Sequence, residues 1–244
     1  MKLHFLEAPV VLTKSYTKAS DGSIKKTSYP HVYEVTSHDE DVSTLAEFEK
    51  ALKYHSQKGR CLLKGYLNRD LVRESRAGST DTNDSTEWVV FDLDGLQGMQ
   101  TPETFLKTIG ITDVSYVVQY SASYMIENND LRAHVFMMLD KPYAAPLLKQ
   151  WLTGMNHDIP LLAQNTGLTK TGNAISWPLD ISACQNDKLI YIASPLLNGG
   201  IKDPVAKGSR IQLIKKKKDK LSISGAIPST AKNRERTSKK IEEL

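Results

Sequence analysis

Apolar and polar positions along this 244-residue chain follow two periods, and the switches between them mark out its elements. The first 35 residues hold short alternating runs, such as HVYEV at 31–35, around a polar DGS turn at 21–23. They predict a hairpin or an edge region. Leu45, Phe48, Ala51 and Leu52 then fall at helical spacing. A helix is expected there, capped by Asp41 or Ser43 and ended by Gly59. CLLKGYL at 61–67 predicts a short strand, and the polar stretch 74–87 a loop.

WVVFDLDG at 88–95 has four apolar residues running into alternating carboxylates. That is the pattern of a buried central strand with a polar end. Thr101 or Pro102 opens a short helix that ends at Gly110. VSYVVQYSAS (114–123) and LRAHVFMMLD (131–140) predict two more buried strands, with a polar loop suited to a hairpin between them. Pro146 to Gly154 reads as helix, which 158–167 can continue. ISWPLDIS (175–182) is a short strand or turn, and KLIYIASP (188–195) a strand. The mixture predicts an α+β domain on a mainly antiparallel sheet, spanning residues 1–202. From residue 203 no apolar period persists, so 203–244 reads as a linker or tail with one short strand or helix at most.

Charge sharpens that boundary. Residues 202–244 carry 13 basic and 5 acidic residues, whereas the rest carries 19 and 23. A mildly acidic body is thus joined to a basic tail, which suits either contact with a nucleic-acid backbone or a solvated linker. Apolar residues make up 40%, enough for a sizeable core. Cys61 and Cys184 stand far apart and outside any metal-ligand spacing, which argues against a disulfide framework. No signal-peptide pattern and no apolar run of about 20 residues occurs. The expected location is the cytoplasm.

The chemistry centres on VVFDLDG. Asp92 and Asp94 are two apart on a strand, so both carboxylates share a face. Such a pair repels unless a cation lies between, and hard oxygen ligands suit Mg²⁺ or Mn²⁺ that hold phosphates. Gly95 offers a sharp turn after the strand. His134 follows on a buried strand, with Arg132 on the same face and Ser121 and Ser123 on a neighbouring strand. Together they would suit a triphosphate. Asp180, after Pro178, is either a third metal carboxylate or a turn residue. Lys188 is either a surface lysine or a phosphate contact. Lys64 and Arg76 lie beside Gly-containing turns, where each is either a solvated side chain or a contact to a nucleic-acid phosphate, the role also expected of Lys215, Lys216 and Lys217.

The order of these motifs resembles the archaeo-eukaryotic primase superfamily: VVFDLDG, then RAH (132–134), then PLDIS (178–182). CLLKG, ESRAG, YSAS, LRAHVFMMLDKP and KLIYIASP are similar to blocks of phage and plasmid primase-polymerases, over roughly residues 60–197. The residue before the motif's histidine is Ala133 where that family carries serine, so Ser121 or Ser123 would replace its hydroxyl. The resemblance implies an RRM-like catalytic core with an N-terminal α/β subdomain. It implies Asp92, Asp94 and Asp180 as catalytic metal ligands, and His134 as a triphosphate contact helped by Ser121, Ser123, Arg132 and Lys188. It implies a single-stranded DNA template, a primer and nucleoside triphosphates as partners, and a replicative helicase, to which the tail would be the linker.

Three rival classes share parts of the pattern. FDLDG resembles the first motif of haloacid-dehalogenase-type phosphatases, in which Asp92 would be a nucleophile. The tyrosines around 116–143 would suit a non-catalytic single-stranded DNA-binding module. A D-x-D glycosyltransferase shares the metal but gives the histidine block no role.

Overall fold

The computed structural model describes every residue except 97–98, 129, 170, 173, 206–209, 224 and 226. The N-terminal part begins with β1 (Lys2–Glu7) and the hairpin β2 (Ser15–Lys18)–β3 (Ile24–Thr27), which turns through the DGS segment. β4 (Thr36–Asp41) pairs with β1 and leads into α1 (Leu45–Gln57). HVYEV is not a strand; among its residues only Val35 makes a bridge, to Glu74. The cap of α1 is Thr44. Its hydroxyl accepts from the Glu47 amide while the Glu47 carboxylate accepts from the Thr44 amide. Asp41 is instead the last residue of β4. Leu45, Phe48, Ala51 and Leu52 are buried as their spacing predicts.

β5 is only Cys61–Leu63, and the central strand β6 runs longer than expected, Ser85–Leu96. β6 does not turn at Gly95 but continues through a bulge between Asp94 and Leu96. α2 (Pro102–Thr108) is capped by Thr101. β7 (Tyr116–Tyr120) and β8 (Leu131–Ala144) pair antiparallel. α3 (Ala145–Asp158) stops before Pro160, which starts the short α4 (Pro160–Gln164). A small hairpin follows, β9 (Gly167–Leu168) and β10 (Ile175–Ser176), and then a 3-10 turn at Ile181–Cys184. β11 (Leu189–Tyr191) returns to the first sheet, whose order is β11-β5-β1-β4, and β12 (Leu196–Asn198) adds parallel to β2.

The expected boundary at residue 203 is corrected by the structure. β13 (Ile211–Ile214) pairs with β7, and β14 (Lys220–Leu221) pairs with β8 beyond the end of β7. α5 (Thr230–Glu243) lies on α3. Ile211, Leu221 and Ile223 are buried among lysines. A strand of two to four residues is too short to show a period, and an edge strand needs little more than its backbone to pair. The result is an α+β fold with mostly antiparallel sheets.

Alternation along β6 divides the core. Val89, Phe91 and Leu93 face α2 and α3, with Phe91 against Phe105 and Trp151. Trp88 and Val90 face α1, where Phe48, Trp88 and Phe136 pack ring to ring. By the same alternation Asp92 and Asp94 belong to the α1 face, beyond the last aromatic that α1 covers. Among the described residues no helix is long and apolar enough to cross a membrane.

Candidate active site

The pairing register builds the centre of the site. Asp92 lies opposite His134, and His134 opposite Gln119, so β6, β8 and β7 carry one polar row across the sheet. One step along, Asp94 lies opposite Arg132. Gln119 is fully buried, and its Nε2 donates to the carbonyls of Tyr120 (2.8 Å) and Ile192 (3.4 Å). Its Oε1 is therefore left to accept from Nδ1 of His134 at 2.6 Å. This fixes the proton on Nδ1 and turns Nε2 towards Asp92 Oδ1, 3.4 Å away. Burial raises the Asp92 pKa, but His134, Lys188 and Lys14 outweigh it and hold the carboxyl below its ordinary value. Arg132 donates Nη1 to Asp94 Oδ1, and its Nε is buried with no partner among the described residues. Ser121 and Ser123 sit just after β7, their hydroxyls 3.2 Å apart.

Asp180 reaches the same place by another route. Leu179 bridges Leu93 and is pinned from the other side by Asn156, which donates to its carbonyl at 2.9 Å and accepts from its amide at 3.1 Å. Asp180 follows, capping the 3-10 turn through the Ser182 amide (2.7 Å) and hydroxyl (2.8 Å) and meeting Lys188 Nζ at 3.0 Å. Asp180 thus fills the turn role and lines one groove with Asp92 and Asp94.

Two cavities meet at Asp92 and Asp94. A groove of about 950 Å³ is lined by Asp92, Asp94 and Asp180, and continues past Trp177 to Thr237 and Ile241 of α5. A smaller pocket of about 200 Å³ is lined by Asp92 and Asp94 again, with His134, Ser121, Ser123, Lys188 and Lys14. Among the described residues no three His, Cys, Asp or Glu side chains form a metal-holding group. Here each carboxylate lies beside a basic side chain: Asp92 by His134, Asp94 by Arg132, Asp180 by Lys188. Asp92 and Asp94 nonetheless offer the hard oxygen donors that Mg²⁺ or Mn²⁺ prefers, on one face and beside Lys14, Lys188, Ser121 and Ser123.

The expected nucleic-acid contacts fare differently. Lys64 is not available to any partner: it is buried, 1% exposed, with Nζ 2.5 Å from Thr86 Oγ1 and over the Trp88 ring. Burial pushes its pKa down to about 7. It follows β5 directly, so a lysine that reads as a turn residue is carried into the interior. Arg76 is half-buried and donates to the Asp187 carbonyl at 2.8 Å, next to Lys188. Lys215, Lys216 and Lys217 follow β13 from its Tyr116 end, away from the Gln119 row by roughly 10 Å of strand. Lys216 pairs with Glu103 at 2.5 Å, while Lys215 and Lys217 are exposed.

Several groups at the site carry no motif. Lys14 precedes β2, and its Nζ lies 5.0 Å from the centre of the Tyr29 ring, which stacks on Tyr191 at 3.8 Å. Burial lowers the Lys14 pKa, and neighbouring acids only partly restore it. Glu127 ties this hairpin to the Ser121–Ser123 loop, accepting from Tyr16 (2.6 Å) and Lys26 (2.7 Å). Gln119 does have a sequence signal: it is a polar residue inside an otherwise apolar strand. Lys14 and Tyr29 have none, because only the chain's return from β12 to β2 brings them over the central sheet.

No protein-family model and no curated protein matches the chain. Among solved structures it is similar to the AEP domain of the cyanophage S-2L primase-polymerase, at 9% identity and a TM-score of 0.38. The likeness covers 90% of this chain and 91% of that one. A score of this size does not establish a shared fold.

Proposed function

We propose that the chain catalyses nucleotidyl transfer from a nucleoside triphosphate to the 3′-hydroxyl of a nucleic-acid strand, as a primase, a polymerase or both. The observation that carries this reading is that Asp92 and Asp94 line two cavities at once. The small pocket gathers Lys14, Lys188 and two serines beside His134, and the ammonium and hydroxyl groups are donors suited to phosphate oxygens. The groove gives a second substrate access to the same carboxylates. In the reaction the 3′-oxygen bonds to the α-phosphorus and pyrophosphate leaves.

Mg²⁺ or Mn²⁺ on Asp92 and Asp94, with Asp180 as third carboxylate, would neutralise charge on the transferring phosphate and acidify the attacking hydroxyl. The side chains do the positioning. Gln119 orients His134, and Lys14 and Lys188 hold the triphosphate with Ser121 and Ser123. Arg132 keeps Asp94 in place. The template and primer are single-stranded or partly paired DNA, and a helicase would act alongside in replication. The motif order in the sequence supports the same reading. A phosphatase using Asp92 as nucleophile fits less well, because Asp92 lies within an antiparallel pair opposite His134.

The test is primer extension and primer synthesis by the purified chain with Mn²⁺ and nucleoside triphosphates. Extension that disappears in Asp94→Ala supports the proposal. Neither extension nor synthesis by wild type overturns it, and phosphate trapped covalently on Asp92 would turn the assignment to a phosphatase.

A further inference from the structure

The large groove leads away from the carboxylates, and its far wall is a helix whose sequence reads as tail. Thr237 and Ile241 of α5 line it, and Ile241 is 49% exposed. Trp177 forms part of the side wall. His157 links the two walls. Its ring packs edge to face with Trp177 at 5.1 Å, and its Nε2 lies 3.2 Å from Thr237 Oγ1. The helix is held firmly: Asn233 is buried and donates to the Gln150 carbonyl at 2.8 Å, and Arg236 pairs with Asp158 at 2.8 Å.

Charge is divided along this groove. The floor at its inner end is acidic, with Asp92, Asp94 and Asp180. The helix carries five basic and three acidic residues. Arg236 and Lys240 face Asp158 and Glu243, but Lys232, Arg234 and Lys239 are exposed with no carboxylate partner among the described residues. Arg234 lies three and seven residues before Thr237 and Ile241, so it shares their stripe on the helix. A polyanion would be repelled by the floor and attracted to the lip. An aromatic ring between them suits a base rather than a phosphate.

We infer that the groove is the bed of a single-stranded nucleic acid, with a base stacked on Trp177 and the phosphates running along α5 beside Arg234. The strand's direction, 3′ end towards Asp92 and Asp94, rests on the nucleotidyl-transfer reading; the binding itself does not. Trp177 is the half-buried one of three tryptophans, since Trp88 and Trp151 are 1% and 4% exposed. The chain therefore carries its own probe.

The experiment titrates the full chain with a short oligothymidylate at low salt, without metal or nucleotide, and follows tryptophan emission. Saturable quenching is expected. Trp177→Phe, which keeps an aromatic ring against His157, should abolish the quenching and weaken binding about tenfold, read by anisotropy of a labelled oligonucleotide. Arg234→Ala should weaken binding and reduce the salt slope by about 0.7. No binding, binding that leaves the emission unchanged, or wild-type affinity and salt slope in both variants overturns the inference. Quenching without any nucleotide incorporation would sink the catalytic proposal and leave the groove assignment standing. Normal extension by a Trp177→Phe, Arg234→Ala double variant with wild-type binding would do the reverse.

Discussion

Asp92 and His134 stand directly opposite each other on neighbouring antiparallel strands, with the imidazole Nε2 3.4 Å from the carboxylate Oδ1. The strand register alone makes this pair, so the site's centre is as rigid as the sheet. Asp92→Asn keeps the shape and removes the charge. Nucleotide incorporation should fall by about a thousandfold or more, on the scale of losing a transition-state charge partner. The thermal midpoint should move only slightly, as circular dichroism can check.

Gln119 is the residue that dictates how His134 is presented. Gln119→Leu removes the acceptor for Nδ1–H and lets the ring choose its tautomer and rotate. Turnover should fall about 10- to 100-fold. The accompanying sign is a change in the His134 tautomer seen by nitrogen NMR, which loss of packing alone would not give. Gln119→Glu retains an acceptor and should keep the wild-type tautomer.

Lys14 is half-buried beside the small pocket and has no carboxylate within ion-pair distance among the described residues. Its expected contribution is to hold phosphate rather than to move protons. Lys14→Ala should raise the KM for nucleotide about tenfold with a smaller effect on kcat. Steady-state kinetics across nucleotide concentration separates the two. An unchanged KM would remove Lys14 from the phosphate site.

Lys64 makes a stability prediction with a definite sign. Burial depresses its pKa from 10.5 to about 7 in the folded chain. The unfolded chain thus binds more protons between about pH 7 and 10.5, and stability contributed by this group rises with pH across that window. Below pH 7 both states are protonated and the folded state bears a buried charge. Lys64→Met should stabilise the protein at neutral pH, on the order of a few kcal/mol, and abolish that rise. Urea denaturation at several pH values compares the two slopes.

Truncation tests where the domain ends. A chain cut after residue 202 loses β13 and β14, burying Ile211, Leu221 and Ile223 no longer. It also loses Arg210, which pairs with Asp203 and donates to the Ser121 carbonyl at 2.7 Å. The cost should be on the order of 5 kcal/mol, enough to leave it unfolded or aggregated. A chain cut after Pro228 loses only α5 and should keep its near-ultraviolet circular dichroism signal.

The sequence by itself determined the long elements and the chemistry that lies on them. The apolar runs of β6 and β8 specified central strands, the spacing of Leu45 to Leu52 specified α1, and D-x-D two residues apart put two carboxylates on one face. These follow from local periods of 2 and 3.6, which a single chain displays without its partners. Tertiary structure decided the rest. Register put His134, and not another residue of β8, opposite Asp92. The Leu179–Leu93 bridge brought Asp180 to the groove. Parallel pairing of β12 with β2 carried Lys14 and Tyr29 over the sheet. Burial withdrew Lys64 from the surface, and edge pairing turned a lysine-rich tail into β13, β14 and α5. Each of these depends on contacts between segments tens to nearly two hundred residues apart, whose pairing leaves no periodic trace in either segment alone.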